Sequence, residues 1–513
     1  MSTREHAALG RAFVDLANQR VEMSAANFAG LPPIYKRYPR TGRVPLPAEP
    51  GGDVLRSPRE LGRLLRDVNG LSAMLWGRGL LDLGGRSEGR RPPDPTLVRH
   101  VPAGGARYPV ELYAAVGPLG SLPAGLYHYD PRHHALDRLR SGDPRAAVVD
   151  SLGSPPDPFP DLVLLFSVVL WRGAAKYGEF AYRLQSLDLG VVVGQALAAA
   201  GALGLDGAVH LLFADPALDG LLGLSAPAES VLAAVTLSGA GGTAPGGLVS
   251  PAPPPAAESP GHEITGLPRT LALQAASRSA RPPALRATAR RVRDAAPRHR
   301  DIIRLPGGDA LDLAAGIPRR RSTFTGYERT TLPRDALARL LTAVTRPYAS
   351  DTGESTLLCC AVDRVAGIEP GAYYYEPRSR SLALIEAGDA VGRFSSASAL
   401  TPRFRRECLT ANLVLVPVAD YESGFAGFGD RWYRMQNIEA GVLIERICLA
   451  AAALGLESHP RCDFDVAAAN EVFGLADGPL QSLAVVTVGA PRPNRRFPEH
   501  RIWTAPERGD RRG

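Results

Sequence analysis

One stretch of this chain occurs twice. Residues 177–205 (YGEFAYRLQSLDLGVVVGQALAAAGALGL) align without a gap with residues 428–456 (FGDRWYRMQNIEAGVLIERICLAAAALGL), and the Tyr-Arg pair and the closing Leu-Gly-Leu coincide. Two shorter pairs follow the same order: GLYHYDPRHHAL from Gly125 matches GAYYYEPRSRSL from Gly371, and SPRELGRLL from Ser57 matches LPRDALARLL from Leu332. A repeat this long predicts a duplicated domain rather than a solenoid. We therefore expect two homologous domains that together form a covalently fused dimer.

Both copies contain the same order of predicted elements: helix, hairpin, strand and long helix. Short apolar runs flank each long helix, such as DLVLLFSVVL before it and ESVLAAVTLS after it in the first copy, and they predict strands. The expected fold class is therefore α+β, with layered strands and helices in two tandem domains. The expected boundaries are a helical N-terminal extension (1–40), a first domain (41–240), a Pro/Ala/Arg-rich linker (241–300), a second domain (301–505) and a disordered tail (506–513).

Composition limits the classes of partner. The formal net charge of +7 is modest for 513 residues, and no basic stripe is interleaved with aromatics, so nucleic acid is not expected as a partner. No segment has the pattern of a signal peptide or of an uninterrupted apolar span, so no membrane association is expected. The five cysteines have no CxxC or Cys/His spacing. This usage predicts a reduced, cytoplasmic chain without a metal site.

Lysine is almost absent from the sequence. Only Lys36 and Lys176 occur among 59 basic residues, so arginine serves wherever a surface cation suffices. An arginine keeps its proton in a protein, whereas a desolvated lysine can act as an acid or a base. Lys176 precedes Tyr177 at the start of the repeated segment, which makes it a candidate catalytic residue. A leftover surface lysine is the alternative interpretation.

A small-residue loop lies just before a predicted strand. Ala103, Gly104 and Gly105 would permit close approach of the backbone to a flat ligand. A tight turn into an edge strand is the alternative interpretation of the same residues.

Two arginine-containing loops lie in the second half. Arg320, Arg321 and Ser322 combine guanidinium and hydroxyl donors ahead of a helix, a combination suited to a phosphate group. Arg495 and Arg496 follow the last predicted strand on a proline-stiffened loop. Taken alone, either run is also typical of a solvated surface.

These motifs together resemble a known family. The GLYHYDP string, the AGG loop followed by YP, and the helix KYG…YR…LD resemble the SagB-type dehydrogenases of the nitroreductase-like FMN flavoproteins, once per half and over nearly the whole chain after residue 30. The resemblance implies two tandem nitroreductase-like FMN-binding domains that form an intramolecular pseudo-dimer. Enzymes of this family oxidise thiazolines and oxazolines to azoles in ribosomally made peptides, such as thiopeptide antibiotics.

The resemblance also implies roles and partners. In the family, the Lys-Tyr pair takes part in catalysis, the RRS segment and a C-terminal arginine hold the FMN phosphate, and the loop before the strand lies near the flavin ring. The implied partners are a modified precursor peptide and an azoline-forming cyclodehydratase, and a homo-oligomer stays open. The implied site residues are Lys176 and Tyr177 for catalysis, Arg320, Arg321, Ser322 and Arg495 or Arg496 for the phosphate, and Ala103, Gly104 and Gly105 for the ring.

Each half departs from the family pattern in a different place. The first half has too little sequence before SPRELGRLL for an RRS loop, and no arginine follows its last strand. The second half has Gly427-Phe428 in place of the Lys-Tyr pair, and its ring-side loop reads ASDTGES from Ala349. We therefore predict one FMN site per chain, with the phosphate held by the second domain and the ring and the chemistry supplied by the first. The pseudo-symmetric second site should be empty or degenerate.

Two other functions stay open from the sequence. One is an NAD(P)H-dependent flavin reductase of dehydroamino acids or nitro compounds, and the other is a flavin-free scaffold for a cyclodehydratase. The complementary loss of motifs argues against the scaffold, because random decay would not spare one full set. Glu111, His128 and Asp188 are interpreted as structural residues that serve packing or capping.

Overall fold

The structure is a computed structural model in which twelve segments are described. Arg495, Arg496, the tail after residue 503 and most of the predicted linker lie outside the described residues. The described residues are 7–18, 33–49, 51–76, 96–226, 228–239, 249–258, 266–283, 301–323, 325–352, 356–397, 400–493 and 499–503.

The first half contains nine strands and six α-helices within the described residues. The predicted hairpin forms at Gly125–Asp130 and Ala135–Ser141. The strands are β1 (Arg43–Pro45), β2 (Leu71–Leu75), β3 (Thr96–Arg99), β4 (Val110–Val116), β5 (Gly125–Asp130), β6 (Ala135–Ser141), β7 (Leu162–Val169), β8 (Asp206–His210) and β9 (Glu229–Ser238). The helices are α1 (Ala8–Asn18), α2 (Pro58–Asn69), α3 (Arg145–Val149), α4 (Leu170–Tyr177), α5 (Ala181–Gly201) and α6 (Asp215–Leu222).

The second half repeats this plan. Its predicted hairpin forms at Gly371–Glu376 and Ser381–Ala387. The strands are β10 (Ile302–Arg304), β11 (Ala349–Ser350), β12 (Leu357–Val362), β13 (Gly371–Glu376), β14 (Ser381–Ala387), β15 (Leu413–Ala419), β16 (Glu457–Arg461), β17 (Gln481–Ser482), β18 (Val485–Gly489) and β19 (Glu499–Arg501). The helices are α7 (Pro268–Ala276), α8 (Arg334–Val344), α9 (Ala390–Ala397), α10 (Pro402–Thr410), α11 (Tyr421–Phe428), α12 (Arg431–Ala453) and α13 (Val466–Val472).

The two large sheets have corresponding strand orders. The first runs β1-β6-β5-β4-β7-β9-β8 and the second β10-β14-β13-β12-β15-β18-β16, with neighbouring strands antiparallel. Two strands cross between the halves. β11 of the second half adds to the first sheet beside β8, and β19 forms a small sheet with β2 and β3. The two halves are therefore joined through backbone hydrogen bonds as well as side chains.

The two long helices α5 and α12 cross at the centre of the molecule. Both are buried around most of their circumference, and α12 buries charged and amide side chains together with its apolar ones. Gly190 and Gly441 face each other at the crossing, and a Cβ atom at either glycine would overlap a backbone carbonyl of the other helix. These glycines let the backbones approach closely. The largest cluster of buried apolar side chains includes both helices, so the halves share one core.

The helix that precedes each half in the chain docks on the other half. The N-terminal end of α1 docks on the second half, where the Gly10 N–H donates to Asp430 over 2.7 Å. The start of α7 docks on the first half, where the N–H groups of Arg269 and Thr270 donate to Glu179 over 2.9 and 2.7 Å. Glu179 and Asp430 occupy the same position of the repeat. The two halves thus exchange helical arms.

One helical stretch has the length and apolar composition of a membrane span. It covers Leu170–Gly201, and 72% of its most apolar window is buried inside the protein. Its apolar character is explained by the shared core, because α5 packs against α12 and the first sheet.

Candidate functional site

The small-residue loop of the first half forms one tight turn before β4. Gly105 is exposed. It adopts a left-handed conformation with φ of 59°, which only glycine adopts without strain. The Gly104 N–H donates to both carboxylate oxygens of Asp188, at 3.0 and 3.1 Å. Burial raises the pKa of Asp188 to about 7, although the Gly104 N–H opposes the rise. Asp188, interpreted as structural from sequence, fastens the turn to α5.

Lys176 and Tyr177 end helix α4 directly beside this turn. A Cβ atom at Gly105 would overlap the Tyr177 hydroxyl and lie 2.8 Å from Lys176 Nζ. The Lys176 amine lies 5.2 Å from the centre of the Tyr177 ring. Both side chains are half-buried. The structure therefore brings the predicted ring-side loop and the predicted catalytic pair together within the first half.

The other lysine has a different environment. Lys36 is buried and forms an ion pair with Glu229 at 2.6 Å and a hydrogen bond with Tyr113 at 2.8 Å. Glu111 and His128 belong to a neighbouring buried network, in which His128 contacts Glu111 at 3.0 Å and Arg172 pairs with Glu111 at 2.5 Å. These contacts agree with a structural role for Glu111 and His128.

The predicted phosphate segment of the second half reaches the first half. Arg320 Nε donates to the His100 carbonyl at 2.5 Å, and Arg320 Nη1 lies 3.4 Å from the Ser322 hydroxyl. Ser322 pairs with Ser458 of β16 through a parallel bridge. His100 precedes Ala103 by three residues, so Arg320 and Ser322 approach the ring-side loop across the boundary between the halves.

Arg321 is committed to a different contact. Its guanidinium binds Glu499 of β19 in a two-pronged ion pair, with distances of 2.6 and 2.8 Å. Arg321 therefore holds the C-terminal crossing strand, and its charge is already neutralised. Arg495 and Arg496, predicted to assist with the phosphate, lie outside the described residues.

Sequence reasoning did not identify Glu445 of α12. This side chain is fully buried, and neither carboxylate oxygen has a hydrogen-bond partner within the described part of the chain. Burial raises its pKa to about 8, and the charge of Arg320 opposes the rise. A signal was present in the alignment of the repeats, because Glu445 corresponds to Gly194 of the first copy. The first copy has glycine at this position of the long helix, whereas the second copy has an acid among apolar residues, where an apolar side chain is expected.

The corresponding region of the other half is arranged differently. Strand β8, the counterpart of β16, is paired with Ala349 and Ser350 instead of an RRS segment. The next residue, Asp351, accepts the N–H groups of Leu211 and Leu212 at 2.7 to 3.0 Å. The ring-side loop of the second half is thus tied down on the first sheet.

The counterpart of the Lys-Tyr pair is apolar. Phe428 ends α11 and stacks on Trp432 with ring centres 5.5 Å apart. A Cβ atom at Gly424 would overlap the same indole ring, so the turn is closely packed. No titratable group takes the place of Lys176 in this described region.

A small cleft opens to solvent elsewhere in the second half, between α8, β12 and α12. Tyr348, Tyr375 and Arg446 are among the residues that line it, and none of the predicted site residues does. No group of three or more potential metal ligands occurs among the described residues.

Comparison with known proteins relates part of the chain to one family. Residues 317–490 match the model described as "Nitroreductase family". Trifolitoxin-processing protein TfxB of Rhizobium leguminosarum bv. trifolii is 31% identical over 147 residues, covering 27% of this chain and 39% of TfxB. "Putative nitroreductase MJ1384" of Methanocaldococcus jannaschii is 30% identical over 121 residues, covering 24% of this chain and 59% of that protein. The chain spans less than two thirds of either relative.

A solved structure shares the fold over nearly the whole chain. It is described as a "putative nitroreductase" from Anabaena variabilis, with a TM-score of 0.73 and 23% identity, and the superposition covers 94% of this chain and 99% of that one. At this identity the likeness concerns the fold alone. Residues 317–490 are therefore similar to the nitroreductase family, within a chain that shares the fold of the Anabaena protein over most of its length.

Proposed function

We propose that the chain is an FMN-dependent dehydrogenase that oxidises azolines to azoles in a ribosomally made peptide, with one flavin site built by both halves. One observation carries this proposal. The Arg320 guanidinium of the second half hydrogen-bonds the His100 carbonyl at 2.5 Å, at the base of the turn that touches Lys176 and Tyr177. This contact between the halves supports a single site to which both contribute.

The residues at this place fit a flavin mononucleotide. Arg320 forms no ion pair with a described carboxylate, and with the Ser322 hydroxyl it offers donors for a phosphate. The turn at Ala103, Gly104 and Gly105, of which Gly105 is exposed and the other two are half-buried, has no side chain beyond one methyl group and would accommodate a flat ring. In this proposal Arg495 or Arg496 adds to the phosphate contacts. Arg321 has the supporting role of holding β19.

The chemistry divides between the cofactor and the chain. Conversion of an azoline to an azole removes two electrons and two protons, and a bound FMN would supply the acceptor for both electrons and one proton as a hydride, with dioxygen as the proposed reoxidant. The other hydrogen leaves as a proton. Lys176 is the proposed acceptor of that proton, since it is half-buried and adjoins the turn. Tyr177 would orient the amine, and Asp188 keeps the turn in position.

The differences between the halves support a single site per chain. The segment between the first strand and the following helix covers residues 305–333 in the second half but only residues 46–57 in the first. The place of the phosphate segment on β8 is taken by Ala349 and Ser350. Phe428 takes the place of Tyr177. We propose that the second, pseudo-symmetric site binds no flavin.

A peptide substrate is supported by the likeness to TfxB, whose name records the processing of trifolitoxin. The proposed substrate is a precursor peptide that already carries azolines, and the proposed partner is the cyclodehydratase that makes them. The proposal names no particular peptide.

The test combines flavin content with exchange of the two lysines. Purified protein should release about one FMN per chain, and Lys176→Arg should keep the flavin but lose turnover of an azoline peptide, because arginine retains the charge and does not accept the proton. Lys36→Arg is the matched control and should keep both. Full turnover in Lys176→Arg would remove Lys176 from the mechanism. Two FMN per chain would contradict the single site, and none after reconstitution would favour the flavin-free scaffold.

A second candidate is an NAD(P)H-dependent reductase of the same flavin class. The match of residues 317–490 to the nitroreductase family favours it. Rapid bleaching of the bound flavin by NADPH under nitrogen, followed by reoxidation with a nitroaromatic compound, would support the reductase. A flavin that NADPH leaves oxidised and an azoline peptide bleaches would support the dehydrogenase.

A further inference from the structure

The strand β19 belongs to the second half by sequence but is attached to the first half. It pairs antiparallel with β2, with His500 opposite Met74. Beyond the strand, the Ile502 N–H donates to the Ser72 carbonyl at 3.0 Å. A pairing of three residues is marginal without further contacts. The side chains at the two ends of β19 therefore decide whether it stays docked.

At its far end, β19 is anchored by an aromatic side chain. The Trp503 ring lies 5.3 Å from the His134 ring and 5.1 Å from the Arg66 guanidinium, both of the first half. His134 is itself fixed, because its ring nitrogens contact the Tyr129 hydroxyl at 3.0 Å and the Pro47 carbonyl at 3.2 Å. Trp503 therefore rests on a well-held surface of the first half.

At its near end, β19 holds the phosphate segment of the second half. Glu499 binds the Arg321 guanidinium through both oxygens, at 2.6 and 2.8 Å, and the two side chains are only 13% and 17% exposed. Arg321 Nη1 also donates to the Arg320 carbonyl at 2.8 Å. The Arg501 guanidinium donates to the Pro318 carbonyl. β19 thus holds the segment at two places.

The residues on either side of Arg321 are the ones that face the first half. Arg320 donates to the His100 carbonyl and lies 3.4 Å from the Ser322 hydroxyl. A carboxylate bound through both oxygens fixes the plane of a guanidinium as well as its position. The pair between Glu499 and Arg321 therefore constrains the backbone from which Arg320 and Ser322 extend.

The first half has no such arrangement among its described residues. Residues 249–258, which follow β9, pack back on the first half, where the Ser250 N–H donates to the Ser141 carbonyl at 2.8 Å. The small sheet of β19, β2 and β3 has no counterpart in the described part of the second half. The crossing strand therefore occurs only on the side that carries the phosphate segment.

We propose that β19 positions the phosphate-binding residues, so that its docking on the first half lets the chain distinguish FMN from riboflavin. Glu499 and Trp503 are positioning residues in this scheme, since they act through Arg321 and through the strand. The inference rests on the proposed function, because that function assigns Arg320 and Ser322 to the phosphate.

The test compares two flavins that differ only by the phosphate. The Kd of FMN and the Kd of riboflavin are measured from quenching of flavin fluorescence on chain freed of bound flavin. Wild-type chain should bind FMN about a hundredfold or more tightly than riboflavin, because charged hydrogen bonds to the phosphate are lost with riboflavin. The ratio of the two Kd values thus reports the phosphate contacts.

Two variants release β19 from opposite ends. Glu499→Gln and Trp503→Ala should each weaken FMN about tenfold and change the Kd of riboflavin by less than about twofold. The matched control is Glu422→Gln. It breaks another two-pronged ion pair, in which Arg11 of α1 binds Glu422 of α11 at 2.8 Å, and it should leave both Kd values unchanged.

A double variant separates positioning from direct contact. Arg321→Gln should weaken FMN as much as Glu499→Gln, and the double variant no more than either, because each change removes the same pair. If Arg321→Gln weakens FMN and Glu499→Gln does not, Arg321 binds the phosphate itself and the proposal is wrong.

The remaining outcomes distinguish this inference from the proposed function. Equal weakening of FMN and riboflavin in both Glu499→Gln and Trp503→Ala would indicate a general loss of structure and overturn the positioning role. A wild-type chain that binds both flavins equally tightly overturns it too, while the flavin site stands. A wild-type chain that binds neither flavin overturns the proposed function and this inference with it. If one variant does not fold, the other carries the test.

Discussion

Both halves of the chain bury an arginine near the start of the long helix, Arg183 in α5 and Arg434 in α12, but only one of the two arginines meets an acid. Arg434 and Arg431 of α12 bind Asp215 of the first half at 2.6 and 2.5 Å. Arg183, which corresponds to Arg434, donates to the Leu483 carbonyl at 2.6 Å and forms no ion pair within the described residues. The position that corresponds to Asp215 carries Val466. The crossing therefore has a buried cluster of one acid and two arginines on one side, and a single arginine bonded to a carbonyl on the other.

The same asymmetry governs the loops. In the first half the turn at Gly105 is exposed and adjoins Lys176, whereas in the second half Asp351 fastens the loop to the backbone of Leu211 and Leu212. A dimer of identical subunits could not hold these two arrangements at once. Because the two halves belong to one chain and differ in sequence, one loop can be tied down while the other stays exposed.

The largest expected effect is loss of the acid at the charged side of the crossing. Burial alone would raise the pKa of Asp215, and the charges of Arg434 and Arg431 lower it below its ordinary value. Asp215→Asn should lower the free energy of unfolding by about 3–5 kcal/mol, because it leaves two buried guanidinium groups without a counter-charge. Urea denaturation followed by circular dichroism measures the change.

The matched variant on the side without the acid is Arg183→Gln. It removes one hydrogen bond to a carbonyl and should cost about 1 kcal/mol. Equal losses for Asp215→Asn and Arg183→Gln would show that the two sides of the crossing contribute alike, and the comparison would fail.

A smaller effect is expected where the central helices touch. Gly190→Ala places a methyl group on the Ile438 carbonyl of α12 and should destabilise the chain by about 1–3 kcal/mol, because the helices must move apart. Gly201→Ala, on the same helix, meets no atom within 4 Å and should be neutral or slightly stabilising. Thermal unfolding of the two variants measures the difference. A stable Gly190→Ala would mean that the halves are not tightly packed at this point.

A small effect on stability is expected at the exposed turn, where the main consequence is functional. Gly105→Ala and Gly204→Ala both put alanine at a left-handed position, with φ of 59° and 66°, and each should cost about 1–2 kcal/mol. Only Gly105→Ala also pushes on Lys176 and Tyr177, since a Cβ atom added at Gly204 would have no such neighbour within 4 Å. We expect turnover of an azoline peptide to fall at least tenfold in Gly105→Ala alone. Equal turnover in both variants would separate the turn from the chemistry.

Much of the fold could be predicted because it depends on local pattern. The hairpins at Gly125 and Gly371, the strands around DLVLLFSVVL and ANLVLVPVA, and the long helices all follow from apolar periodicity and turn residues. The exchanged strands could not be predicted in this way. β11 has two residues and β19 has three, and their pairing depends on which sheet edge lies within reach.

The candidate site was predicted only in part. Proximity of Gly105 to Lys176 and Tyr177 agrees with the prediction, but the roles of these residues stay predictions. Arg321 was predicted to bind the phosphate together with Arg320, because adjacent arginines cannot be distinguished in sequence. In the structure its side chain forms an ion pair with Glu499 instead. Asp188 was interpreted as a packing residue, and its contact with Gly104 depends on a turn 84 residues earlier in the chain.

The sequence by itself determined the repeat, the layered α+β pattern and the complementary loss of motifs in the two halves, because these are read from residue order and apolar spacing. Only the tertiary structure decided which residues of the two halves contact each other. It set Arg320 against His100, Asp215 between Arg431 and Arg434, and Glu445 against Gly194. The physical reason is that the cost of a buried charge depends on the groups around it, and these groups come from the opposite half of the chain.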